Sequence, residues 1–246
     1  MTSERAGRAL ATTESIASLR EVSVTYRTSG RPSGRTPGRT SGEGVDALVD
    51  VTIDIAAETT TALSGPSGSG KSTLLRLIAL FDRPNDGTIT VAGVDVTRMR
   101  ERARRSMRRR SIAFVHQRPL SNLVSGLRVD EHITFVRSVR RLVRVDPQPT
   151  LEQFGLAGVA RSWPWQLSGG EQQRLAFAMA VAGGAELILA DEPTAELDRQ
   201  HVEEVIESIA MLEGAGVSTI VASHDPAVVA AASRIVGLHD GRVVTT

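Results

Sequence analysis

Residues 65–73 read GPSGSGKST and contain the only lysine of a 246-residue chain; the other 28 of its 29 basic residues are arginine. The stretch fits G-x-x-x-x-G-K-[ST], the pattern of a loop that wraps phosphate oxygens. Its flanks are the ones such a loop requires. TTTALSG at 59–65 reads as an apolar strand, and KSTLLRLIALF at 71–81 has the length and spacing of a helix, stopped by a turn at 83–87. Glycines let backbone N–H groups turn inward around an anion, and the following helix presents its positive end to the same charge. A compact ammonium on a flexible stem follows the β- and γ-phosphates into a cradle too tight for a planar guanidinium. Lysine is therefore retained where arginine does not fit, and Ser72 beside it offers a hydroxyl to Mg²⁺.

Composition sets the outer bounds. With 41% hydrophobic and 23% charged residues the chain is an ordinary globular sequence. A net charge of +1 creates no whole-chain demand for nucleic acid. The absence of cysteine excludes disulfides, thiolate metal sites and cysteine nucleophiles. No apolar stretch near the N-terminus suits a signal peptide, and no uncharged run approaches the roughly 20 residues that cross a bilayer. The expectation is a soluble chain without membrane insertion, with residues 1–17 as a disordered tail and 18–246 as one domain.

Outward from the loop, strands are expected at 18–27 and 47–55, separated by a flexible basic loop at 28–44 rich in Gly, Ser and Pro. TITVAGVDV at 88–96 reads as a hairpin. Residues 98–110, RMRERARRSMRRR, read as a solvated helix face rather than a nucleic-acid contact, since no aromatic residue interleaves to stack on bases. SIAFVHQ at 111–117 is a strand, and 119–166 a helical insertion whose clearest amphipathic piece is 129–143. Helices at 168–182, 201–213 and 226–232 then alternate with strands at 186–192 and 217–224 before a closing hairpin. That alternation predicts a parallel sheet covered on both faces.

ELILADE places Asp191 and Glu192 at the end of a buried strand, with Pro193 preventing helical continuation. Paired carboxylates there are costly without a cation, and Mg²⁺ between Ser72 and Asp191 meets the need. Glu192, pointing elsewhere, suits a base that orients or deprotonates an attacking water. Gln117 and His224 also close strands, so four strand ends converge on the carboxyl edge of the sheet, where ligands bind. LSGGEQQ at 167–173 is a helix start with Ser168 and Glu171 as a capping box. Its uncovered Gly169 and Gly170 amides form a second anion site.

In this order, GPSGSGKS, Gln117, LSGGEQQ, LILADEP, the AELD at 195–198 and His224 resemble the ATP-binding subunit of an ABC transporter, over residues 18–245. The resemblance implies an α/β fold with a P-loop NTPase core, a mixed and mainly parallel sheet, an N-terminal antiparallel β-subdomain and a helical subdomain insertion. It implies ATP and Mg²⁺ as cofactors. Gly65, Pro66, Ser67, Gly68, Ser69, Gly70, Lys71, Ser72 and Thr73 would hold the nucleotide, and Tyr26 would stack on adenine. Ser72, Gln117 and Asp191 would hold the metal, and Glu192, His224 and Gln117 would serve catalysis. Ser168, Gly169, Gly170 and Glu171 would engage ATP held by an opposing copy, with Asp198 at the seam. It further implies membrane-spanning permease partners, a place on the cytoplasmic face of the cell membrane, and no nucleic-acid partner. Within the family, residues 82–99, 108–117 and 190–198 are similar to the lipoprotein-releasing and macrolide-exporting branch, from which the 28–44 loop and His116 depart. Export is the transport mode this implies. Two other readings remain: an ABC ATPase that regulates cell-envelope or division machinery, and a nucleic-acid-directed ATPase, the latter lacking a coiled-coil or zinc insertion.

Overall fold

The computed structural model describes residues 15–27 and 44–244. The tail expected before residue 15 and the loop over 28–43 lie outside the described residues. Strand β1 (Ser15–Arg27) starts three residues before the alternation placed it, because Ile16 and Ala17 are buried against the core. It pairs antiparallel with β2 (Gly44–Ala56), whose first residue had been assigned to the loop. Next come β3 (Thr60–Ser64), helix α1 (Lys71–Ile78), β4 (Asp86–Val91), β5 (Val94–Asp95), α2 (Glu101–Ser111) and β6 (Ile112–Val115). The insertion carries α3 (Val129–Val139) and α4 (Gln148–Gln153), with one 3₁₀ turn before them and two after. The chain closes with α5 (Gly169–Ala182), β7 (Leu187–Asp191), α6 (Arg199–Gly214), β8 (Ser218–Ala222), α7 (Pro226–Ala230), β9 (Arg234–His239) and β10 (Arg242–Val244).

Two sheets result among the described residues. An antiparallel sheet runs β2-β1-β4-β5, and a six-stranded one runs β10-β9-β3-β8-β7-β6, parallel throughout except for the edge pair β9–β10. The run Leu187–Ala190 shows why the second sheet reads as continuous apolar sequence. Leu187 and Leu189 point into one core with Leu63, Ile220 and the α1 leucines, while Ile188 and Ala190 point into another with Val221, Phe177 and Phe154. Period-two alternation persists, but both faces are buried, so no polar residue marks it. The first core joins the antiparallel sheet to α1, and the second joins the insertion to α5 and α6.

Two local expectations change. Helix α1 ends at Ile78 rather than Phe81, because fully buried Leu80 adopts a left-handed φ of 60° to reach the core. The arginine-rich helix α2 is not simply solvated. Arg104 is 2% exposed, and its Nε donates to the Leu80 carbonyl at 3.2 Å while its Nη2 donates to that of Asp82. Arg108 also donates to Leu80, so two guanidinium groups satisfy carbonyls at the negative end of α1. In the insertion, buried His132 donates from Nδ1 to the Arg128 carbonyl at 2.7 Å and accepts at Nε2 from the Val124 N–H at 2.9 Å. Those partners define a neutral ring, and burial holds its pKa below the usual histidine range. No helix among the described residues is long and apolar enough to cross a membrane.

Candidate functional site

A cleft of about 640 Å³ opens at the carboxyl edge of the parallel sheet, within the size range of small-molecule sites. Pro66 to Thr73 line it together with Gln117, Asp191, Glu192 and His224. The convergence expected from four strand ends is therefore present. Gly65 lies just behind, its carbonyl accepting from Lys71 Nζ at 2.7 Å, and the Pro66 carbonyl accepts from the same ammonium at 3.1 Å. Lys71 is 7% exposed, so these carbonyls hold a nearly buried cation inside the loop.

Glycine is required in this loop for two reasons. Gly70 has φ 102°, and a Cβ there would lie 2.6 Å from the Ala47 carbonyl. At Gly65 a Cβ would lie 2.1 Å from the Leu238 carbonyl. The loop is thus pressed against β2 and β9 from behind, with residues 66–73 lining the cleft in front. The Ser69 hydroxyl is buried without a partner.

Opposite the loop, Asp191 Oδ1 accepts from Ser72 Oγ at 3.0 Å. Burial raises the Asp191 carboxyl above its ordinary range, against the Ser72 bond that lowers it, and the neighbouring Glu192 raises it further. Glu192 turns aside by adopting φ 46°, unusual for a side-chain-bearing residue, while its N–H donates to the Ala222 carbonyl at 2.8 Å. His224 Nδ1 lies 2.9 Å from Glu192 Oε1, and the His224 N–H donates to Oε2 at 3.3 Å. The two adjacent carboxylates consequently face different partners.

A proton bound more tightly by the folded than the unfolded chain stabilises at low pH, and that contribution disappears as pH rises through the folded pKa. Without nucleotide, stability should therefore fall as pH climbs above the ordinary carboxylate range. Asp191→Asn keeps the acceptor for Ser72 but removes the charge, and should raise neutral-pH stability by about 1–3 kcal/mol. Calorimetric unfolding of both proteins from pH 4 to 8 checks this; a lower midpoint for the variant at pH 8 contradicts the burial argument.

The remaining sequence-selected residues do not line the cleft. Tyr26 is 43% exposed, and its hydroxyl donates to Asp82 Oδ2 at 3.1 Å, a carboxylate already gripped by Arg76 at 2.6 Å. Its strand partner Val45 does line the cleft. Ser168, Gly169, Gly170, Glu171 and Asp198 form a second cluster. Ser168 Oγ accepts from the Glu171 N–H at 3.2 Å and Glu171 Oε2 from the Ser168 N–H at 2.8 Å, the expected capping box. Asp198 caps α6, and Leu197 packs against Gly169.

Sequence reasoning missed two residues here. Asn122 Oδ1 accepts from the His116 N–H at 2.7 Å and its amide donates to the His116 carbonyl at 3.1 Å, pinning the segment before Gln117. His201 Nδ1 lies 2.7 Å from Asp198 Oδ1, and its ring would meet a Cβ on Gly170 at 2.5 Å, so it locks the starts of α5 and α6 together. Only the spacing Asp198-x-x-His201 hinted at the second, as an N-cap pattern.

A family model described as ABC transporter matches residues 48–195. The chain belongs to the ABC transporter family. Its fold is that of the family's cassettes. It superposes on the dimeric bacterial ABC transporter cassette MJ0796 with TM-score 0.78 and 29% identity, over 93% of this chain and 97% of that one. CbiO1 from Clostridium perfringens, part of the ABC transporter complex CbiONQ, matches with TM-score 0.78 and 25% identity, over 94% and 87%. The macrolide export ATP-binding/permease protein MacB of Escherichia coli (strain K12) is 38% identical over 185 residues, 74% of this chain. The MacB protein of Salmonella typhi shows the same identity and coverage. This cassette spans 28% of the length of those MacB proteins.

Proposed function

We propose that the chain is the ATP-hydrolysing subunit of an ABC transporter of the export type. It works as a head-to-tail pair of copies with two ATP molecules between them, on the cytoplasmic face of the membrane against permease subunits. One observation carries this reading. The phosphate loop and strand-end residues line one cleft, while the second anion-binding helix start, Ser168 to Gly170, lies outside it. One chain therefore holds half of each of two sites, and a partner completes both. The post-hydrolysis MJ0796 cassette, 30% identical with TM-score 0.77, is a dimer bound to ADP and Pi, which supports the same arrangement here.

In this reading Lys71 and the amides of residues 67–73 neutralise and cradle the β- and γ-phosphates. The donor set opposite them, a hydroxyl and a half-buried carboxylate whose charge burial disfavours, suits Mg²⁺, with Gln117 as a further oxygen ligand. Mg²⁺ held there would offset charge on the phosphates. Glu192 takes a proton from the attacking water, and His224 orients its carboxylate. Asp198 lies at the seam, and Gln117, with the insertion that follows it, passes closure on to the permease.

The burial of Arg104 and the engagement of Arg108 by Leu80 and Glu101 leave fewer free guanidinium groups for phosphate backbones, which counts against the nucleic-acid reading. A mixing experiment tests the shared sites. Lys71→Ala and Ser168→Arg chains should each be inactive alone, because each damages both sites of its own pair. Mixed pairs keep one intact site, so measurable phosphate release should return. Two inactive chains that stay inactive together, although a mixed pair is isolated, would refute the composite site.

A further inference from the structure

Tyr26 stands at the rim of the nucleotide cleft with its hydroxyl tied down. It is registered opposite Val45 in the antiparallel pair β1–β2, and directly opposed residues share one face of a sheet. Val45 lines the cleft together with Asp46 and Ala47, so the half-exposed Tyr26 ring borders that wall. Its hydroxyl donates to Asp82 Oδ2 at 3.1 Å. Asp82 is in turn fixed from several sides. Arg76 Nε donates to Oδ2 at 2.6 Å and Nη2 to Oδ1 at 3.0 Å, while the Arg76 carbonyl accepts from the Asp82 N–H at 3.3 Å. Arg104 Nη2 donates to the Asp82 carbonyl. The Arg76 hydrogen bonds hold the Asp82 carboxyl below the ordinary carboxylate range, so it stays ionised and a strong acceptor for Tyr26. The Arg76 guanidinium is itself placed 5.9 Å from the centroid of the Phe81 ring.

We propose that Asp82, clamped by Arg76, is a positioning residue for the nucleotide base: by holding the Tyr26 hydroxyl it fixes the ring on which the base stacks relative to the phosphate loop. The proposal rests on the nucleotide site above and on Tyr26 as the platform of the base, and adds what sets that platform. Arg76 lies in α1, the helix that begins at Lys71, so ammonium and tether are parts of one rigid element. Phosphates gripped at its first turn and a base laid on Tyr26 then meet surfaces held at one separation. A ring tethered at its hydroxyl keeps one orientation, and less side-chain freedom is lost when a base stacks on it.

The test compares two probes on the full chain, ATP and inorganic tripolyphosphate, each displacing a ribose-labelled fluorescent ATP analogue. Tyr26→Phe keeps the stacking face and removes only the tether, and should weaken ATP binding about 3–10-fold. Asp82→Ala should match it, and the double variant should be no weaker than either single one, because all three cut the same link. Tyr26→Ala removes the face itself and should weaken ATP binding about 10-fold or more. Tripolyphosphate, which has no base, should bind all of these chains as it binds the unaltered one. Normal ATP affinity in Tyr26→Phe alongside a loss in Tyr26→Ala would overturn the positioning role and leave the platform standing. Normal affinity in both would overturn platform and tether together. An Asp82→Ala loss that extends to tripolyphosphate, or that adds to the Tyr26→Phe loss, would make Asp82 a staple of α1 instead. Failure of the unaltered chain to bind the analogue would overturn the nucleotide site itself.

Discussion

Glu192→Gln should lower phosphate release by about 10²–10⁴-fold, the range a positioned general base contributes, while ATP binding is retained and ATP-bound pairs accumulate. The geometry isolates the chemistry in one atom pair. Glutamine matches glutamate in size, can keep the unusual φ of 46°, and still offers an oxygen to His224 Nδ1, now 2.9 Å from Oε1. The Asp191–Ser72 contact is untouched. What is lost is the capacity to take a proton from water. Turnover, nucleotide binding and oligomeric state measured on one preparation separate the possibilities. Near-normal turnover would remove Glu192 as base, whereas loss of binding together with turnover would mean that the substitution deformed the cleft.

Lys71→Arg should be nearly as damaging, although it keeps the charge. Nucleotide affinity is expected to fall on the order of 10²-fold, the worth of a charged hydrogen-bonding contact in a buried setting. The ammonium sits between the Gly65 and Pro66 carbonyls at 2.7 and 3.1 Å, 7% exposed. A guanidinium brings five donors in a rigid plane, too wide for that space and with more N–H groups than the two carbonyls can satisfy. Either the loop opens or donors remain buried and unpaired. Titration with a fluorescent ATP analogue reads the outcome. Arginine binding as well as lysine would show that charge alone suffices, and would leave the single lysine of an otherwise arginine-only chain unexplained.

Much of this was legible in residue order. The nine residues 65–73 announce their loop because glycine and lysine have few substitutes there, and LSGGEQQ announces its helix start through the capping box that the structure contains. The expectation for 98–110 failed in part because a charged pattern does not reveal which arginines find carbonyls; Arg104 is buried by the end of α1, far away in sequence. The start of β1 was missed for the same reason. Ser15 to Ala17 carry one large apolar residue, too little pattern to mark a strand until Ala56 and Val91 lie beside them.

The sequence by itself determined the local chemistry: a phosphate loop between strand and helix, two carboxylates ending a buried strand, and a second helix start open to anions. Each depends on neighbours within a few residues, where backbone conformation and side-chain type suffice. Only the tertiary structure decided which of these groups share a cleft. Stacking β6, β7, β8 and β3 in parallel brings Gln117, Asp191, His224 and Lys71 to one edge, though more than 150 residues separate the first loop from the last. It also left Ser168 outside and drew Tyr26 onto Asp82. Such placements follow from long-range packing of two cores against one sheet, and no short stretch of chain encodes them.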